Sequence, residues 1–118
     1  YAAGTRGTVA AALYQTPAGG LPAPITSVVS AQLDNAGVLA TDQIKIRVNG
    51  NSQTLTAVLA GPTSPGNYGN LPAYIGRRGG ISLPFNGHLY SLIVRGALSD
   101  ATEIDNSEAY VNGKTGAY

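Results

Sequence analysis

The residues that could do reaction chemistry in this 118-residue chain are one histidine and two groups of carboxylates. His88 could serve as a general base, but that role needs a nucleophile to deprotonate and a carboxylate to orient the ring. His88 follows the Phe85-Asn86-Gly87 turn with no Ser-His-Asp spacing around it, so the plainer reading is a strand-start residue bonded locally. Glu103, Asp105 and Glu108 are the densest acidic group. Glycoside hydrolysis needs two carboxylates facing each other across a bond. These three lie in a segment that reads as a helix with an outer face to solvate, so surface charge is the simpler expectation. Asp34 and Asp42 flank a strand and offer hard oxygen ligands of the kind calcium takes. Asx-turn chemistry accounts for both without a metal.

Two further groups suit binding. Arg77-Arg78, followed by Gly79-Gly80, could grip a phosphate or an anionic glycan through forked guanidinium donors. The lysine and following helix of a phosphate loop are missing there, and a solvated strand exit explains the pair equally. Tyr68 stands between Asn67 and Asn70 in a Gly/Pro/Asn-rich stretch. An aromatic ring flanked by amides can stack on a sugar and bond its hydroxyls, or it can pack the loop against the body of the domain. Tyr74 and Tyr90 read as packing residues between sheets, and Tyr110 as a helix residue packed on a sheet.

Composition narrows the setting. With no Cys and one His, a disulfide framework, a thiolate metal site, a thiol nucleophile and a multi-His metal site are excluded. Charged residues are 11% of the chain and the net charge is +1, which gives no electrostatic footprint for nucleic acid or an anionic membrane. No apolar run approaches the roughly 20 residues that span a bilayer. Sixteen Gly and seven Pro argue against a helical bundle, since both residues cost helix stability. The length fits a single domain, residues 1–118, that is turn-rich and dominated by strands.

The positioning elements follow from local pattern. Thr8–Tyr14 and Ile25–Leu33 read as strands, the first too short for a stable helix and the second rich in β-branched residues. Asp34-Asn35-Ala36-Gly37 closes the latter as a turn. In Gln43–Val48, Ile44, Ile46 and Val48 alternate with Lys45 and Arg47, and Asn49-Gly50 follows, the pair best suited to a type I′ hairpin turn. Gln53–Leu59 is the expected return strand, with Leu55, Ala57 and Leu59 on one face. Ala73–Gly76 and Ile81–Pro84 read as brief extended pieces. His88–Val94 is apolar on both faces, the pattern of a strand buried on both sides within a sheet that packs on a second layer. Asp100 with Glu103 three residues on makes a capping-box-like arrangement, with Ser99 as an alternative N-cap, for one helix over Ala101–Asn112 that has Ile104 and Val111 on one face and Asn112-Gly113 as its stop.

The series Ile44–Gly50 (IKIRVNG), Tyr74–Arg78 (YIGRR), Phe85–Val94 (FNGHLYSLIV) and Leu98–Val111 resembles the later part of a concanavalin A-like, laminin G-type jelly roll. The stretch from Leu71 to Tyr118 resembles, more narrowly, the C-terminal ends of bacteriophage and prophage structural proteins that carry this domain. The resemblance implies an all-β antiparallel jelly-roll sandwich with one short helix, of which this chain is the C-terminal part. It also implies a non-enzymatic component of a phage particle, decorating the capsid or belonging to a tail appendage. Its partners would be other virion proteins, further copies of itself in a homo-oligomer, and a host cell-surface glycan. Asn67, Tyr68, Asn70, Arg77 and Arg78 are then the candidate glycan contacts. No cofactor is expected beyond a calcium ion at Asp34 or Asp42, which laminin G-type domains often bind at a sandwich rim. Two alternatives stay open: a purely structural assembly module without ligand, and a truncated carbohydrate-active enzyme of the same superfamily.

Overall fold

A computed structural model describes residues 1–8, 11–21, 25–37, 40–59, 67–68, 72–76 and 85–118 of the chain. Two small antiparallel sheets make its core. The first has the order β1-β2-β6, from Ala2–Arg6, Ala11–Gln15 and Thr56–Leu59. The second has the order β3-β4-β5, from Val29–Leu33, Ile44–Val48 and Asn51–Ser52. A one-turn helix α1 (Ala40–Gln43) leads into β4, and a longer helix α2 (Ala101–Thr115) follows all the strands.

Register explains how the sheets meet. Ala3 sits opposite Tyr14 and Thr5 opposite Ala12, and residues directly opposite share a face. Thr5, Ala12 and Tyr14 are buried on that face. In the second sheet Leu33, Ala31 and Val29 oppose Ile44, Ile46 and Val48, and the three β4 residues are only 1–3% exposed. Ala12, Tyr14, Ile44, Ile46 and Val48 form one cluster, with Ala3, Leu21, Leu33 and Leu55 packed around it. The alternation of IKIRV thus sends its apolar face into the gap between the sheets, each full side chain contributing about 1.5–3 kcal/mol. The other β4 face, Lys45 and Arg47, looks away from that core.

The turn chemistry is as the dipeptide demands. Asn49 has φ 50° and Gly50 φ 78°, positive at both central positions, as a type I′ turn needs. The return strand, however, is short. Pairing after the turn covers Asn51 and Ser52, then the chain leaves the second sheet and pairs as β6 with β2, with a register irregularity between Leu13 and Tyr14. Leu55 lies against the core, whereas Val58 and Leu59 stay about half exposed. Of the expected strand Gln53–Leu59, Thr56–Leu59 forms as β6, and Gln53–Leu55 is the crossing between sheets. Of the expected strand Thr8–Tyr14, Ala11–Tyr14 lies in β2, and of Ile25–Leu33, Val29–Leu33 forms β3.

Helix α2 carries the expected capping box: the Glu103 backbone N–H donates to Asp100 Oδ1 at 2.8 Å, and the Asp100 backbone N–H donates to Glu103 Oε2 at 3.0 Å. It runs through Asn112-Gly113 and stops one turn later, where Gly116 takes the left-handed conformation and donates its N–H to Asn112 O. Asn112 is an interior residue whose side chain instead clasps Tyr118 through two hydrogen bonds of 2.6 and 2.9 Å.

The main correction concerns residues 88–94. The segment expected as a doubly buried strand has no strand pairing and is exposed: Tyr90 at 71%, Leu92 at 54%, Ile93 at 48% and Val94 at 77%. A run of strand-forming residues becomes a strand only where a second strand supplies hydrogen-bond partners, and among the described residues none lies beside this one. Pro72–Gly76 likewise is not a strand. Tyr74 and Tyr110, expected to pack, are exposed at 58% and 57%. The expected piece Ile81–Pro84 lies outside the described residues.

Candidate functional site

The exposed ribbon Phe85–Ser99 forms one wall of a cleft of about 1680 Å³. Residues Ile25–Asp34, including β3, also line it, as do Ile104, Ser107, Glu108, Val111 and Thr115 of α2. Two hydrogen bonds reach adjacent residues of β3. The Gln32 amide donates to Ser99 O at 2.7 Å, joining the end of the ribbon to β3. The Tyr68 hydroxyl donates to Leu33 O.

Of the sequence-predicted binding residues, Asn67 and Tyr68 lie among the described ones. The Tyr68 backbone forms an isolated bridge to Gly7, and the preceding Asn67 carbonyl accepts the Thr8 N–H at 2.9 Å. The Tyr68 ring is 58% exposed, but its hydroxyl end is sheltered. That shelter pushes the phenol pKa above its ordinary value, opposed by a hydrogen bond with Thr5 and reinforced by the negative charge of Asp34. Thr5 in turn donates to Asn35 Oδ1 at 2.6 Å, inside the protein. Tyr68, Thr5, Asn35 and Leu33 thus tie the first sheet to the end of β3. Asn67 is exposed beside this tie. Asn70, Arg77 and Arg78 lie outside the described residues.

The acidic candidates divide by position. Asp34 Oδ1 accepts the Ala36 N–H at 2.8 Å, an Asx turn, and Gly37 N–H donates to Asp34 O at 3.3 Å. Asp42 stands exposed on α1. The described residues hold no cluster of three or more His, Cys, Asp or Glu side chains that could hold a metal ion. His88 stacks on Tyr90, with ring centroids 6.1 Å apart.

Glu108 is a correction: expected at the surface, it is 3% exposed. One terminal nitrogen of Arg47 meets Glu108 Oε2 at 3.0 Å, Asp105 Oδ1 at 2.7 Å and the Gly50 carbonyl at 2.9 Å. A guanidinium on the outer face of β4 thereby clamps α2 to the hairpin turn. Nothing in local charge announces this, but helix phase does. Residues 104, 108, 111 and 115 share one stripe at the 3.6-residue period, and Ile104, Val111 and Thr115 on it are all half-buried. Glu103 and Arg95 form a further ion pair, at 2.8 Å and more exposed.

What this surface can do follows from its make-up. The surface joins an apolar ribbon, an apolar cleft and a polar tie at Tyr68. No helix among the described residues is long and apolar enough to cross a membrane. Comparison with protein-family models, with curated proteins and with solved structures gives no match.

Proposed function

We propose that this chain is a non-enzymatic structural and adhesion component of a bacteriophage particle. Its two packed sheets are read as part of a jelly-roll sandwich, and it acts by assembly with neighbouring virion proteins and further copies of itself. Its address is the outside of the particle. The observation that supports this reading best is the uncovered ribbon from Phe85 to Leu98, where Phe85, Leu89, Tyr90, Leu92, Ile93, Val94 and Leu98 are all about half exposed or more. Contiguous apolar surface of this extent marks an interaction site in a stable protein. The phage-like sequence of the same region, SLPFNGHLYSLIVRGALSDATEI, adds the setting.

Within this reading a host glycan contacts the Asn67, Tyr68, Asn70, Arg77 and Arg78 region, with the exposed face of the Tyr68 ring as its stacking platform. Calcium at Asp34 or Asp42 is no part of the proposal.

The test is direct. Antibodies against the purified chain are used to probe phage particles induced from a strain carrying the gene and banded in a density gradient. Co-banding with the particle is the expected result, and a chain found only in the unassembled fraction overturns it. A glycan array on the same chain separates adhesion from assembly alone: binding lost in Tyr68→Ala supports the glycan contact, and uniform silence leaves the purely structural role. Hydrolysis of any array glycan overturns the non-enzymatic reading.

A further inference from the structure

The second sheet ends in an open edge. Asp34 N–H donates to Gln43 O at 2.7 Å and Asn49 N–H to Val28 O at 2.9 Å, so Val28, Asp34 and the even-numbered residues between them turn their backbone groups toward β4. By the alternation of an antiparallel ladder, Val29, Ala31 and Leu33 turn theirs outward. Leu33 O is occupied by Tyr68, and no strand among the described residues pairs with the rest of that edge. Exposed edges of this kind are templates for another strand.

The same chain also carries a strand-forming segment that no strand among the described residues pairs with. His88–Val94 (HLYSLIV) has strong strand-forming composition, is exposed, and lines the same cleft as β3. We infer that two copies of this chain pair reciprocally: His88–Val94 of each protomer enters the partner's cleft and adds to the outer edge of the partner's β3. A chain holding both halves of one contact closes as a two-fold dimer, with each half used twice.

Charge and area both favour a second copy as the occupant. Arg95 is the single Lys, Arg, Asp or Glu between Phe85 and Leu98, and it is already paired with Glu103 at 2.8 Å. Ile25–Leu33 has no charged residue at all. Two such surfaces meet without like-charge repulsion or stranded ions. The seven large apolar residues of the ribbon leave on the order of 900 Å² exposed per protomer, against the roughly 800 Å² per partner of a standard stable interface. The inference rests on the edge and the ribbon and not on the virion role. A monomer in solution would sink it while leaving particle association and glycan binding to their own tests.

The experiment begins with light scattering after gel filtration of the full chain. The expected mass is twice that of one chain, and a single-chain mass across the micromolar range overturns the proposal. Leu92→Lys with Val94→Lys is expected to halve the mass with the far-ultraviolet circular dichroism unchanged. A dimer that persists in this variant overturns the proposal. Because the native chain has no cysteine, a second measurement stands if that variant fails to fold. Chains carrying Ala31→Cys are mixed with chains carrying Leu92→Cys and oxidised. A covalent mixed dimer is expected. Its absence, or a bond formed within one chain in the double variant, shows that the ribbon closes on its own β3 or on nothing, and the inference falls.

Discussion

At the scale of single residues, the Arg47 clamp is the most consequential contact. One nitrogen carrying two hydrogens serves three oxygens, while Arg47 Nε and Glu108 Oε1 are buried without a partner among the described residues. A buried pair satisfied this incompletely stabilises less than its short distances suggest, yet breaking it strands a charge. Arg47→Met is therefore expected to cost about 3 kcal/mol, read as a lower urea midpoint. Combining it with Glu108→Leu should restore most of that loss, and a double variant no more stable than Arg47→Met would refute this account. Tyr68 gives a second residue-scale prediction. Its pKa is raised, so the neutral phenol is favoured by folding. The stabilisation is whole below the ordinary phenol value of about 10, and is lost as pH rises through the higher folded value. Tyr68→Phe should cost about 1 kcal/mol near neutrality and remove this alkaline weakening. Urea melts at neutral and alkaline pH check both.

At the scale of elements, caps and turns carry the argument. Asp100→Ala removes the acceptor for Glu103 N–H and should destabilise by about 1 kcal/mol, seen as a lower thermal midpoint. The Glu103 pKa is lowered, first by its bond to Arg95 and then by the Asp100 backbone. Its contribution is thus present above the ordinary carboxylate range and fades as pH falls through the lowered value; Arg95→Ala should shift that fading toward higher pH in an acid titration. These elements were legible in the sequence because their causes are local. Asn49-Gly50 dictates its own φ angles, IKIRV its own faces, and Asp100/Glu103 its own cap. The helix end was not, because Asn112 found Tyr118 as a partner and Gly116 took the terminal role. Strand β1 went unread because Gly4 and Gly7 look like punctuation, and its pairing with β2 is what makes AAGTR a strand. The His88–Val94 pattern was readable as strand-forming but not as unpaired, since an apolar run carries no record of whether a neighbour is present. Of the candidate site, Tyr68 could be singled out from its flanking amides. Its tie to Leu33 could not, because it joins residues 35 apart in the chain.

At the scale of the whole molecule, the two sheets differ in how the chain builds them. β3, β4 and β5 lie within residues 29–52 and pair with their sequence neighbours, whereas β2 pairs with β6 across residues 16–55. Closing long loops before non-local contacts form slows folding. The second sheet should gain hydrogen-exchange protection before the β2–β6 ladder does during refolding; simultaneous protection of β6 would contradict this order. The crossing at Gln53–Leu55 has one more outcome. Because β6 returns to the earlier sheet after the later one is made, the strands are interlaced like two hands with one finger exchanged. A nick between β5 and β6 would leave an amino-terminal fragment with an empty lane beside β2, and the remaining fragment could reoccupy it only from solution. Split-protein reassembly at that site would therefore depend on fragment concentration, and the intact backbone serves chiefly to keep that lane filled.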